Sequence, residues 1–414
     1  MSVDHRSRRH EDVADLDALA AFDEYIPDAI DRHGELAACG VASKGLAPLG
    51  FDLGDHQATL VVDGETLVLV DGLEHAGVVA HLPADALSDL LQDRQSTMGL
   101  AMTARVKIER GSLDDWIRWE PALRALLDGR AVHESGAVAM VDGDGDPLDL
   151  DRRFTLEDDR DEMRHFLTEA GFLHLTGVFD PDEMARIGHD IDESIAAAAD
   201  GDPEYWWCTN SDGEQVAVRS LNFQEKSEAV RAALTDERLL WLGELTGDAH
   251  RAPTTCEGLV KPLDIVQGLS DLPWHKDCGQ GLHSYMCNSL TVGISVTGAD
   301  RVSGALGVIP GSHRANTVAS MRDRDLDLPS RLLETTTGDI TVHCSDTLHR
   351  AYPPSAHPRK VVYTSFRLAP LDGDEEKPNP RYSRSARSEL TSVQDRIAAA
   401  DNAAADNRYV PSNG

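Results

Sequence analysis

Three residues have the types and spacing for metal chemistry: His275, Asp277 and His349. His275 and Asp277 stand two positions apart in the stretch Leu272-Pro-Trp-His-Lys-Asp277. On an extended strand, residues i and i+2 point to the same face, so one imidazole and one carboxylate can meet a single ion. A second imidazole from a distant strand, His349 in Asp346-Thr-Leu-His349-Arg, would complete a face of two histidines and one carboxylate. Such a face leaves three octahedral positions open, as a non-haem Fe(II) oxygenase needs for a cosubstrate and O₂. Lys276, between two ligands, should face away from the ion.

The segment around these residues reads as strands. Val260–Val266, Ser289–Val296, Ala305–Ile309, Asp339–His343 and Lys360–Leu368 are rich in apolar and β-branched residues, with turn signals between them. Many short strands with polar turns predict a sandwich or barrel. Upstream, Asp158–Ala170 predicts a helix closed by Gly171, followed by a strand at Phe172–Thr176 and a second helix begun by Asp180-Pro-Asp-Glu183. Tyr205, Trp206 and Trp207 are candidates for a substrate pocket or for the core, and Ala229–Leu245 reads as a helix. The predicted fold class is mostly β with flanking helices: a double-stranded β-helix (jelly-roll, cupin-like) catalytic domain with a smaller N-terminal α+β domain.

The N-terminal part has a different character. Residues 1–45 read as a helical segment and 46–150 as a small α+β module. In that module, Thr59–Val62 and Thr66–Val70 flank Asp63-Gly64, a hairpin signal. Trp116, Trp119, Leu123 and Leu126 fall at helical spacing and read as core. The module's pattern loosely resembles a sterol-carrier-protein-like domain. Val141–Pro147 reads as an acidic β-turn, since it lacks the ligand pattern of a calcium loop. Residues 151–370 carry the catalytic signals, and 371–414 read as a polar tail with a short helix at Ser388–Ala399.

Composition bounds the function. Asp and Glu number 72 against 39 Lys and Arg, for a net charge of -33 and an isoelectric point near 4.7. Such an excess argues against nucleic acid and anionic membranes as partners. The six Cys residues show no framework spacing, which favours a reduced, cytoplasmic setting. No apolar run approaches membrane-spanning length and no signal peptide is visible. The partner expected is a small-molecule substrate, and oligomeric state is left open.

Four stretches in order carry a family resemblance: Ala170–Met184, Pro273-Trp-His-Lys-Asp277, Ser303–Arg314 with its Pro310-Gly-Ser-His, and Gly338-Asp-Ile running through His349 to Arg359-Lys-Val. Together they resemble the phytanoyl-CoA dioxygenase family of Fe(II)/2-oxoglutarate oxygenases over roughly 160–370. The resemblance implies that His275, Asp277 and His349 bind Fe(II), and that Arg359 anchors the distal carboxylate of the cosubstrate 2-oxoglutarate. A guanidinium fork suits that task, because it meets a carboxylate through two parallel hydrogen bonds. The implied reaction consumes O₂, releases succinate and CO₂, and hydroxylates a small organic substrate, lipid-like or a secondary metabolite. Asp277 favours hydroxylation over halogenation, since halogenases of this type carry a small residue there. The alternatives are a jelly-roll metal-dependent hydrolase and a non-catalytic lipid-binding protein. His313 reads as a turn residue, His343 as a core histidine or one behind the ligands, and Asp346 as either a support for His349 or a turn cap. His283 and His357 read as surface, and Cys278 and Cys287 as non-ligands.

Overall fold

The computed structural model of the protein describes residues 16–102, 104–247, 250–267, 272–277, 289–318, 320–321 and 326–368. The expected tail over 371–414 and the loop from Cys278 to Asn288 lie outside the described residues. Among the described residues, 16–132 form one compact unit and 133–368 another. The expectation divided the chain at 45 and 150. The difference has a simple cause at its first point. The helix Ile26–Lys44 buries Ile26, Ala29, Ala37 and Val41 in the same core as the strands that follow, so it cannot stand apart.

In the 16–132 unit, that helix ends on Gly45 in the left-handed region. Strands Gln57–Asp63 and Thr66–Asp71 form the expected hairpin. They belong to a five-stranded sheet in which Leu49–Asp52 runs parallel to Val78–His81. The Trp116 and Trp119 side chains are buried, as their spacing predicts. Beside them Arg124 is fully enclosed, with Asp93, Glu120 and Asp128 within 3.4 Å of its guanidinium. Three carboxylates around one buried cation satisfy it internally.

The 133–368 unit is mostly β. One sheet of nine strands places Tyr205–Asn210, Gln215–Ser220, Cys256–Lys261, Arg359–Leu368, Leu290–Ser295, Ile340–Cys344 and Phe172–Leu175 side by side. A second sheet of five orders Ser320–Met321, Leu272–His275, His349–Ala351, Leu306–Val308 and Arg331–Leu333. Two predicted elements are shorter than expected. The strand predicted over Val260–Val266 breaks at Pro262 and at Asp264, which adopts a φ of 66°. The helix predicted over Ala229–Leu245 stops at Leu234, and the Asp236 side chain caps a new turn at the Arg238 N–H.

Alternation divides the large sheet into two chemically distinct faces. Directly paired residues in an antiparallel sheet share a face. One face carries Val362, Phe366, Val292, Ile294, Val342 and Ile340, all in the main apolar core. The helix Pro181–Ala196 packs there through Met184, Ile187 and Ile191. The other face follows the pairs His343–Thr291, Thr291–Ser365, Gly293–Tyr363, Lys261–Arg359 and Leu259–Arg219. That face is polar yet largely buried, and His343, Lys261 and Arg359 lie within it. Polar burial on this scale needs partners or ligands.

The corner at Gly338-Asp339 closes the core. Gly338 has a φ of 88°, and a Cβ there would collide with the Phe179 carbonyl, so only glycine fits. Asp339 is buried. It accepts from the Gly177 and Thr336 N–H groups and from the Thr336 hydroxyl, and lies 3.1 Å from His174 Nε2. Burial acts to raise its carboxyl pKa, but His174 and these donors outweigh it and hold the group below its ordinary value. A depressed carboxyl stabilises the fold above its unfolded pKa and loses that contribution as pH falls through the folded one. Asp339→Asn should therefore lower the melting temperature at pH 7, and the gap to wild type should narrow as pH drops below about 4. A gap that stays constant from pH 7 to pH 3 would contradict this.

Candidate metal centre

His275 and His349 are cross-strand neighbours at the end of the smaller sheet. Their ring centroids lie 4.1 Å apart. The strand stops at His275, so the extended i, i+2 geometry expected for His275 and Asp277 does not hold. Asp277 sits in the turn that follows, and its direction is set by its own N–H, which donates to the Ser345 carbonyl at 2.7 Å. The outcome is still convergent. Asp277 Oδ1 lies 3.5 Å from His275 Nε2 and 3.7 Å from His349 Nε2. Each of the three residues offers a ligand atom within 4.8 Å of the others, and among the described residues theirs is the one such group.

The protonation states follow from the neighbours. His349 Nδ1 lies 3.0 Å from the Thr347 carbonyl, which can only accept. Nδ1 must then carry the proton, leaving an Nε2 lone pair aimed at the carboxylate. Burial holds the His349 pKa well below its usual value, helped by the His275 and His343 rings. For Asp277, burial acts to raise the carboxyl, but any positive charge on the His349 ring, and after it the His275 and His343 rings, act the other way and hold it well below the carboxylate range. A neutral imidazole and an ionised carboxylate are the forms that ligate a metal. Two lone pairs facing each other in a buried site repel until a cation sits between them.

The surrounding chain fixes this geometry. The Thr291 hydroxyl donates to Asp277 Oδ2 at 2.9 Å. Gly171, with a φ of 78°, accepts from the Cys344 N–H and the Thr347 hydroxyl, tying the start of the unit to the turn before His349. Sequence reading did not single out Thr291, Ser345 or Thr347. Thr291 was within reach, since alternation on its strand sets it beside His343 on the polar face.

Other candidates fall into place. Lys276 turns away and donates to the Ala315 carbonyl at 3.2 Å. His313 Nε2 meets the Thr168 carbonyl at 2.9 Å, so it fastens a turn. His343 is 1% exposed, with Nε2 3.7 Å from Asp277 Oδ2. Asp346 is buried. The acidic turn closes on itself, with Asp142 Oδ1 accepting from the Asp144 and Asp146 N–H groups. Trp206 stacks under Arg219, whose guanidinium pairs with Glu257 at 2.9 Å. Lys226 lies over the Tyr205 ring.

Arg359 is 4% exposed and shares the polar face with Thr291 and His343. Among the described residues its Nη2 donates to the Tyr363 hydroxyl at 3.3 Å and its Nε has no partner. Among the described residues it meets no carboxylate within 4 Å. A buried guanidinium in that state is costly unless an anion joins it.

The family model of phytanoyl-CoA dioxygenase (PhyH) matches residues 167–361, a span containing His275, Asp277, His349 and Arg359. Residues 167–361 are a PhyH-family domain. The family is one of oxidoreductases, Fe(II)/2-oxoglutarate-dependent dioxygenases that use O₂. Among curated proteins none matches. Three solved structures are similar at low identity. The epimerase SnoN, in complex with Fe3+, alpha ketoglutarate and nogalamycin RO, is 19% identical, with 51% of this chain and 84% of that one covered and a TM-score of 0.42. EctD from S. alaskensis, with 2-oxoglutarate and 5-hydroxyectoine, is 18% identical over 53% and 81%, with a TM-score of 0.43. AviO1 from Streptomyces viridochromogenes Tue57 is 21% identical over 51% and 98%, with a TM-score of 0.41. No described helix is long and apolar enough to cross a membrane.

The role given to His313 yields a clear expectation. His313→Gln should lower thermal stability by roughly 1 kcal/mol, the scale of one hydrogen bond, and leave metal stoichiometry unchanged. Loss of metal from a folded His313→Gln protein would put that ring back among the ligands.

Proposed function

We propose that His275, Asp277 and His349 hold Fe(II), that Arg359 receives the distal carboxylate of 2-oxoglutarate, and that the PhyH domain hydroxylates a small organic substrate. The observation that carries this reading is the opposition of the buried His349 Nε2 lone pair and Oδ1 of the partly exposed Asp277, 3.7 Å apart. A cation resolves that opposition, and two nitrogens with one oxygen suit a divalent first-row metal. The bound iron and its keto-acid cosubstrate supply the oxidising chemistry, with succinate and CO₂ as co-products.

The chain's own residues do the rest. Thr347 sets the His349 tautomer through its carbonyl. Ser345 and Thr291 fix the Asp277 carboxylate from the backbone and the side chain. Arg359 offers a buried guanidinium on the same sheet face, and its fixed fork orients a dicarboxylate. The buried polar face excludes bulk water around it. The two sheets of this unit read as a double-stranded β-helix, with His275 and His349 at the ends of two adjacent inner strands of the smaller one. The hydrolase alternative leaves the Arg359 guanidinium unexplained, because hydrolysis needs no keto-acid anchor. The half-exposed aromatic side chains of Trp206 and Tyr363 lie on the same face and suit an organic substrate with apolar surface.

Anaerobic addition of Fe(II) and 2-oxoglutarate to the apo-protein should produce the weak visible charge-transfer band of an iron–keto acid chelate. Asp277→Ala should abolish it. A band that persists in Asp277→Ala, or its absence in a wild-type protein that instead retains zinc tightly, would overturn the assignment. With the band in hand, succinate release becomes the readout for a screen of lipid-like and secondary-metabolite substrates.

A further inference from the structure

His343 lies on the last strand but one of the large sheet, Ile340–Cys344, which is paired on both sides. Its flanking positions, Val342 and Cys344, are buried in the apolar core. An apolar side chain would satisfy the strand equally well, yet an imidazole stands there. It is 1% exposed, and among the described residues neither ring nitrogen has a hydrogen-bond partner. Buried polar groups without partners are rare and require an explanation. The ring lies 4.1 Å from that of His349, and its Nε2 lies 3.7 Å from Asp277 Oδ2. His343 is not one of the three residues whose ligand atoms converge. The two carboxylate oxygens thus have different surroundings. Oδ1 faces His275 and His349, while Oδ2 takes the Thr291 hydroxyl and faces His343.

We infer that His343 is a positioning residue: an Nε2–H facing Asp277 Oδ2 across 3.7 Å attracts that oxygen and, with the Thr291 hydroxyl bonded to it, keeps it turned from the metal, so that Oδ1 alone is presented. This rests on the metal reading above. A carboxylate free to turn would offer both oxygens and fill a coordination position that a cosubstrate or O₂ must occupy. Donors to the outer oxygen keep that position open. Groups behind ligands act in this way elsewhere, and their loss commonly weakens metal binding 10- to 100-fold.

Co(II) is a suitable probe, because its visible absorption reports coordination number without turnover. His343→Phe keeps the ring's shape and removes the N–H. It should weaken Co(II) binding on the order of 10-fold and change the intensity of the visible spectrum. His343→Gln, whose amide can reach Oδ2, should restore both. Should His343→Phe fail to fold, His343→Asn replaces it, since its shorter amide cannot reach Oδ2, and the same loss is expected relative to Gln. Asp277→Ala and His349→Ala serve as controls. If those two bind Co(II) as wild type does, the metal reading fails. If they lose Co(II) while the His343 variants keep wild-type affinity and spectrum, the positioning role alone is refuted.

Discussion

The structure turns on one electrostatic constraint. The lone pair of the buried His349 imidazole and an ionised oxygen of the partly exposed Asp277 carboxylate are held face to face by the bonds each makes to the chain around it. The Thr347 carbonyl prevents His349 from turning its proton toward Asp277. The Ser345 carbonyl and the Thr291 hydroxyl prevent Asp277 from turning away. The site is preorganised for a cation, and its repulsion persists until one arrives. On the larger sheet, the buried Arg359 guanidinium poses the converse problem and calls for an anion. A metal ion and a dicarboxylate answer both demands.

Holding such a site requires stability from elsewhere. The large sheet supplies it through its opposite face, where Val292, Ile294, Ile340, Val342, Val362 and Phe366 pack against helices. The Phe154, Phe166 and Phe172 rings stack edge to face at centroid distances of 5.3 Å. Period-two alternation lets the same strands serve both purposes, apolar outward to the helices and polar inward to the site. The connections are local and specific. Gly171 anchors the turn before His349, and the Gly338-Asp339 corner anchors the strand that leads into it. The Cys256 thiol on this framework is pushed up to about 12 by burial, so it is inert at neutral pH.

Much of the site was legible in the sequence, though not always for the right reason. His275 and Asp277 are spaced for an extended strand, but the strand ends at His275 and a turn brings the carboxylate round. Spacing alone cannot register a backbone bond to a carbonyl some seventy positions away. Arg359 was legible through the family motifs, whereas its lack of a carboxylate partner emerges only once the sheet is assembled. Thr291 reads as an ordinary strand residue, and His343 as either a core histidine or one behind the ligands, until their register is known. The division of the chain was harder to see. The first helix looks polar and peripheral in sequence, yet its small buried face completes a core that includes Trp116 and Trp119. Propensity reported the existence of most strands. It missed the interruptions at Asp236 and Asp264, where one residue's backbone or side chain overrides its neighbours.

The proposed function requires that one metal face and one buried guanidinium recognise the two ends of the same keto acid. Calorimetric titration of the Mn(II)-loaded protein with 2-oxoglutarate and with 2-oxobutyrate, which keeps the keto acid but lacks the distal carboxylate, tests it directly. The account predicts that 2-oxoglutarate binds roughly 10- to 100-fold more tightly, the worth of a charge-assisted bond, and that Arg359→Met erases the difference. Equal binding of the two acids by the wild-type protein, or a preference that survives in Arg359→Met, would contradict it.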